Sequence, residues 1–367
     1  MAQRKTTEET TDQSYWSEYT NLQFIKHQLL KKYLDAWFPI LSKFNGQVSY
    51  VESHAGRGKH IRGEPGSPIV ALKSLLDHHY RDEILKNSSV GFYFIEKYSD
   101  SVKDLKDEIA NLGELPKNVS YSIIQEDHEK VFQDICDRLD ESPGAQLTPS
   151  FIFYDPYSFL MPVDKMTRLL QKSKCEILIN FMWRYLNLAI NNEQPGQVER
   201  LNSMFGDESW KNLRDVPKES RCDATLLLLK EKFKADHMWS VKMYDKKNVL
   251  KYVLVHFSNH PTAFNKMKDA AWSLAEHGDF RFWQSDDPNQ ETLLVAKPNL
   301  KPLHDAVLKK YGANQVHLHD TYEVVDLSPF RKPHYHSLLR ELYKSKNLIL
   351  HDQDKLVFSK NPLISFV

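Results

Sequence analysis

The chain has 367 residues, 41% of them hydrophobic and 27% charged, and its 49 basic and 49 acidic side chains cancel to a formal net charge of zero. This composition can bury the core of two or three compact units, which excludes general disorder. A neutral molecule offers no global attraction for nucleic acid, so any such case must rest on a local patch. No apolar run is long enough to cross a bilayer, and the N-terminus lacks a basic-then-apolar leader. A cytoplasmic protein with no membrane partner is therefore expected. Cys136, Cys175 and Cys222 are too far apart in sequence for a zinc or iron–sulfur pattern and read as buried thiols.

Met1–Ser14 is polar and aperiodic and is expected to fray. From Leu22 the pattern changes. Leu22, Ile25, Leu29, Leu30, Tyr33, Leu34, Trp37, Phe38 and Leu41 recur at helical spacing and predict an amphipathic helix reaching Pro39 or just beyond. Gln47–Val51 reads as a strand running into the loop Glu52-Ser53-His54-Ala55-Gly56-Arg57-Gly58, after which helical spacing resumes over Pro68–His78. Further strands are expected at Val90–Ile95, Val119–Ile124, Ser150–Tyr154 and Glu176–Phe181, with helices at Ser99–Leu112 and around Lys165–Lys174. Strands alternating with helices make a mostly parallel, doubly wound sheet.

Residues 187–236 read as a polar helical insertion with Pro195-Gly196 and Pro217 as breakers. After it, Trp239–Tyr244 and Val249–Phe257 flank the turn-rich Asp245-Lys246-Lys247-Asn248 as a hairpin. A parallel sheet completed by a late antiparallel hairpin is the α/β, Rossmann-like arrangement of class I methyltransferases, whereas a dinucleotide dehydrogenase more often continues in parallel. Domains are expected at 1–45 (tail and amphipathic helix), 46–298 (the sheet domain with its insertion) and 299–367 (a C-terminal module).

In such a sheet the ligand sits beyond the carboxyl ends of the strands. After the first strand, Gly56 and Gly58 permit a tight turn and a close backbone approach, and Glu52 can accept from a cationic amino group or a water. Glu96, after the second strand, can accept from both hydroxyls of a ribose. Asp127, after the third, can accept from an adenine amino group. Helix capping is the alternative use for both acids. Asp155-Pro156-Tyr157, after the fourth strand, would face the reacting centre, the proline fixing the backbone and the tyrosine offering a ring. Neither the full Gly-x-Gly-x-x-Gly of dinucleotide binders nor a Gly-Lys-Ser/Thr phosphate loop is present.

Tyr50–Gly58, Gly66-Ser67-Pro68, Glu96 and Phe153-Tyr154-Asp155-Pro156-Tyr157 resemble the three-Cys-motif partner proteins, TcmP, over most of the chain. The resemblance includes Trp16 to His27, the hairpin end His256-Phe257-Ser258 and Lys266–Asp269. It implies a methyltransferase-like bacterial or archaeal protein that uses S-adenosylmethionine. Cofactor contact is implied at Glu52, Gly56, Gly58 and Glu96, and an active-site loop at Asp155, Pro156 and Tyr157; His54 and Ala55, within the same first loop, are further cofactor-binding candidates. A three-cysteine, radical-SAM-like protein is the implied partner. Base-directed amino-methyltransferases carry Asp or Asn, two prolines and an aromatic residue at the fourth-strand loop. This chain has one proline there, and Tyr157 stands one place early.

Lys301–Tyr311, His319–Val325 and Pro333–Lys346 read as helices, followed by Leu348-Ile349-Leu350 and Leu356-Val357-Phe358 around a polar turn. Helices followed by a hairpin form a winged-helix pattern. Arg331, Lys332, His336, Arg340, Lys344 and Lys346 give its last helix a basic face suited to nucleic-acid phosphates, DNA or RNA. Winged helices that contact proteins are the alternative. The paired histidines, such as His78-His79, lack acidic partners at ligand spacing, so no metal is expected. The combined expectation is an S-adenosylmethionine-dependent methyltransferase acting on nucleic acid, with a non-catalytic scaffold as the rival.

Overall fold

The computed structural model describes residues 19–142, 144, 147–172, 174–275, 278–286 and 298–367, so the N-terminal tail lies outside the described residues. By its contacts the chain divides into two units: Met1–Lys266 with Arg281–Gln290, and Met267–Phe280 with Glu291–Val367.

In the first unit the chain opens with α1 (Asn21–Ser42), which continues through Pro39. Thr20 and Gln23 close a reciprocal capping box at its start, satisfying two amides that a helix N-terminus leaves open. There follow β1 (Gln47–Glu52), α2 (Ser67–Leu76), α3 (Arg81–Asn87), β2 (Ser89–Ile95), α4 (Ser99–Ala110), β3 (Val119–Ile124), α5 (His128–Glu141), β4 (Ser150–Tyr154), α6 (Val163–Lys172) and β5 (Cys175–Phe181). The insertion is α7 (Trp183–Ile190), α8 (Pro195–Phe205), a 3-10 turn and α9 (Lys218–Phe233). Then come β6 (His237–Tyr244), β7 (Leu250–Ser258), α10 (Pro261–Trp272), whose residues from Met267 on belong to the second unit, and β8 (Arg281–Trp283).

The sheet order is β3-β2-β1-β4-β5-β7-β6-β8. The first five strands are parallel, β7 runs against both β5 and β6, and β8 lies parallel to β6. The expected doubly wound sheet and late hairpin are therefore present. β4 and β5 are buried along their whole length, as strands covered on both faces must be, and their continuous apolar runs follow from that.

In the second unit α11 (Lys301–Tyr311) is followed by β9 (Val316–His317), a 3-10 turn, α12 (Tyr322–Asp326), α13 (Lys332–Lys344), β10 (Leu348–Leu350) and β11 (Leu363–Phe366). Its three strands are antiparallel in the order β10-β11-β9. The strand expected at Leu356–Phe358 is not formed. Phe358 begins a short 3-10 turn, and Leu363–Phe366 pairs instead, because it alone lies against both β9 and β10. Leu303, Val307, Leu318, Tyr335, Leu339, Ile364 and Phe366 form the core. Lys268, 1% exposed, donates to the carbonyls of Val325 in the last turn of α12 and of Ser328 just beyond it. Burial pulls its ammonium pKa down to about 8.

Candidate functional site

β1 ends at Glu52 in register with Phe94 of β2 and Phe153 of β4. The chain thus leaves the sheet at its carboxyl edge, between two neighbouring strand ends. Backbone bonds pin the loop that follows: Ser53 N–H donates to the Phe153 carbonyl (3.1 Å) and Ala55 N–H to that of Ile95 (3.0 Å). Gly56 and Gly58 take φ of +61° and +78°, conformations that a side chain makes costly. At Gly58 the close approach is to the chain itself. A Cβ there would stand 2.8 Å from Leu105 Cδ1, and Gly66 N–H donates to the Gly58 carbonyl at 2.7 Å.

The three acids read from the strand ends have distinct surroundings. Glu52 is fully buried; Ser67 Oγ donates to one carboxyl oxygen (2.5 Å) and the Tyr50 hydroxyl to the other (2.9 Å). Burial outweighs these two donors and pushes its pKa up to about 8. Glu96 accepts from the backbone amides of Gly56 (2.7 Å) and Tyr98 (2.9 Å), so its carboxyl ties the glycine loop to the start of α4. Asp127 caps α5, accepting from Glu129 N–H at 2.9 Å, with Lys97 Nζ 3.3 Å away. His54 bonds through Nδ1 to Ser53 Oγ (2.7 Å) and packs on the rings of His128 and Tyr154. Burial, then the neighbouring His128, lowers its pKa to about 3, so the ring is neutral.

A cavity of about 260 Å³ opens at this edge of the sheet, and His54, Ala55, Asp155, Pro156 and Tyr157 all line it. Glu52 stands behind it, joined through the lining residue Ser67. Gly56, Gly58, Glu96 and Asp127 shape the loops around it and do not line it. Among the lining residues that escape a strand-end reading of the sequence are Lys26 of α1 and Asn180 near the end of β5. Lys26 Nζ is 2.5 Å from one oxygen of Asp155, and Asn180 Nδ2 is 2.5 Å from the other. The lysine and aspartate side chains are only 2% and 11% exposed. The amide oxygen of Asn180 is buried without a hydrogen-bond partner. Lys26 did carry a signal: it stands four residues after Leu22 on the apolar stripe of a helix, where an unpaired charge would be expensive.

On α13, Tyr335, Leu338, Leu339 and Leu342 are buried. The basic side chains are set largely against rings. Arg331 lies 5.4 Å over Trp272, Lys332 lies 4.7 Å over Tyr322, and Arg340 lies 5.0 Å over Phe358. His336 stacks on Phe358 at 4.0 Å and bonds the Tyr322 hydroxyl at 2.8 Å, and burial lowers its pKa. Lys344 and Lys346 are exposed at the far end.

No family model matches the chain, and no curated protein matches it. Among solved structures it is similar to the DszA carbon methyltransferase, at 11% identity over 68% of this chain and TM-score 0.37. The chain spans 57% of that protein's length. It is similar to human methyltransferase-like protein 13 in complex with SAH at 10% identity, over 74% of this chain and 96% of that one, with TM-score 0.36. Magnesium protoporphyrin IX methyltransferase from Synechocystis, with bound SAH, is 8% identical over 69% of this chain and 94% of that one, with TM-score 0.34.

Proposed function

We propose that this chain is an S-adenosylmethionine-dependent methyltransferase acting on nucleic acid, held by a C-terminal unit of winged-helix type. The observation that carries the reading is the sheet order β3-β2-β1-β4-β5-β7-β6 with β7 reversed, which gathers residues following β1 and β4 and ending β5 around one cavity. Of the basic side chains on the lining, Lys26 is neutralised by Asp155 and His54 is uncharged, so neither opposes a sulfonium, while Lys251 adds a cation to the same lining. Asp155 and Asn180 supply acceptors for an ammonium. Bound there, the cofactor supplies an electrophilic methyl group. The protein's part is to align the acceptor with it, which needs no general acid or base.

The order α11, β9, α12, α13, β10, β11, with α13 before the β10–β11 hairpin, supports the winged-helix reading. Charge reversal by Arg340→Glu with Lys344→Glu is expected to weaken duplex binding and flatten its salt dependence by a slope of about 2, since each lost phosphate contact removes about one unit. An unchanged slope would remove α13 from the interface.

Calorimetry with S-adenosylmethionine tests the cofactor assignment. Binding is expected in the natural chain, and Glu96→Ala should weaken it by freeing the loop amides of Gly56 and Tyr98 that the Glu96 carboxyl holds. Absence of heat from the natural chain would end this reading. A second reading follows from both oxygens of Asp155 being engaged by Lys26 and Asn180. In it the site binds the cofactor without transfer, and the chain is a scaffold for a three-cysteine, radical-SAM-like protein, as the TcmP resemblance implies. Cofactor binding with no label passed to any nucleic acid would favour that reading.

A further inference from the structure

Two exposed aromatic rings line the cavity from different elements. Tyr157, 42% exposed, comes from the loop after β4, and Tyr185, 48% exposed, from the first turn of α7. Tyr185 is not needed to hold its helix in place, because α7 is buried through Trp183, Leu186, Ala189 and Ile190. A phenol ring has few rotors to immobilise, so it makes an inexpensive stacking surface. The same lining mixes apolar side chains, such as Leu22 and Met182, with hydrogen-bonding ones: Gln23, Asp155, Asn180 and Gln284 offer amides and a carboxylate, and Lys251 adds a cation. Two exposed rings and several hydrogen-bonding groups on one lining match a flat heterocycle with donors and acceptors on its edge, carried on a phosphate chain. A base inside a duplex has both faces stacked and its edge paired, so it cannot enter a recess of about 260 Å³.

We propose that Tyr157 and Tyr185 form a stacking platform that holds one unpaired base of a single strand at this cavity. The inference rests on the nucleic-acid reading above, though not on methyl transfer. The flanking phosphates then pass the Lys251 side of the mouth. Preference for single strand over duplex arises at this cavity, and duplex affinity arises elsewhere in the chain.

The test is fluorescence anisotropy of the full chain with a fluorescein-labelled single-stranded DNA of mixed sequence and with its duplex. Tyr185→Ala is expected to weaken single-strand binding about tenfold, the effect of losing one stacked base, while leaving duplex affinity unchanged. Tyr185→Phe keeps the ring and restores binding. Leu188→Ala, at a position 65% exposed on the same helix and outside the cavity lining, leaves both affinities unchanged. Undiminished single-strand affinity in Tyr185→Ala, an equal loss on duplex, failure of phenylalanine to rescue, or no single-strand binding by the natural chain would each overturn the proposal. S-adenosylmethionine calorimetry on the natural chain reports on the transferase reading separately, since the anisotropy experiment contains no cofactor.

Discussion

Lys26→Met should lower the free energy of unfolding by about 3–5 kcal/mol, the usual result of stranding one member of a buried ion pair. The carboxylate of Asp155 would lose its cation while only 11% exposed, though the Asn180 amide would still donate to it. The double variant Lys26→Met with Asp155→Leu should recover most of the loss, because two apolar side chains of similar volume carry no desolvation cost. Urea unfolding of the natural chain, the two single variants and the double variant gives the coupling energy directly. A single-variant loss below about 1 kcal/mol would mean the pair behaves like a solvated surface bridge.

The second large effect is a pH dependence centred on Glu52. Burial raises its pKa from the ordinary carboxyl range to about 8, so the folded chain holds a proton there that the unfolded chain releases near pH 4.5. Between those values the native state binds more protons, and stability contributed at this position falls as pH rises. Below about pH 4.5 both states are protonated and the contribution is complete; above about pH 8 it is gone. Glu52→Gln has no such proton to lose. The difference in unfolding free energy between the natural chain and Glu52→Gln should therefore move against the natural chain by about 1.4 kcal/mol per pH unit across that window. Histidines that burial keeps neutral, His54 and His60, titrate in both proteins and cancel in the difference. A flat difference between pH 5 and 8 would show that Glu52 is ionised in the fold.

Much of the sheet was legible because its strands leave plain marks. The parallel strands are short apolar runs closed by polar residues, and the hairpin announces itself through Asp245-Lys246-Lys247-Asn248, where Asn248 takes φ of +58°. Among the elements that escaped, two are too short to show a period. β8 is three residues, Arg281–Trp283, and the 7-residue α3 is barely two turns long. In the second unit, Leu356-Val357-Phe358 and Leu363–Phe366 are equivalent by composition, and only partner strands far away in sequence distinguish them. The strand-end rule brought Asp155, Pro156 and Tyr157 to the cavity, whereas Gly56, Gly58, Glu96 and Asp127, read by the same rule, shape loops around it without lining it. It could not indicate that Lys26, 129 residues away, completes the charge of Asp155, because helix-to-loop contacts have no sequence period.

The reversal of β7 has a consequence for how this protein can change. A parallel strand contributes to the carboxyl edge only where it ends, but β7 contributes where it begins, through Lys251 and Tyr252. The turn joining β6 to β7 therefore lies on the working edge, with Asp245 bridged to Arg184 of α7 and Asn248 bonded to the Trp283 indole. Lengthening or retyping those few turn residues would reshape the entrance while leaving the strands and their pairing intact. The hairpin is thus a tuning point: specificity can drift there in small steps, at little cost to the fold.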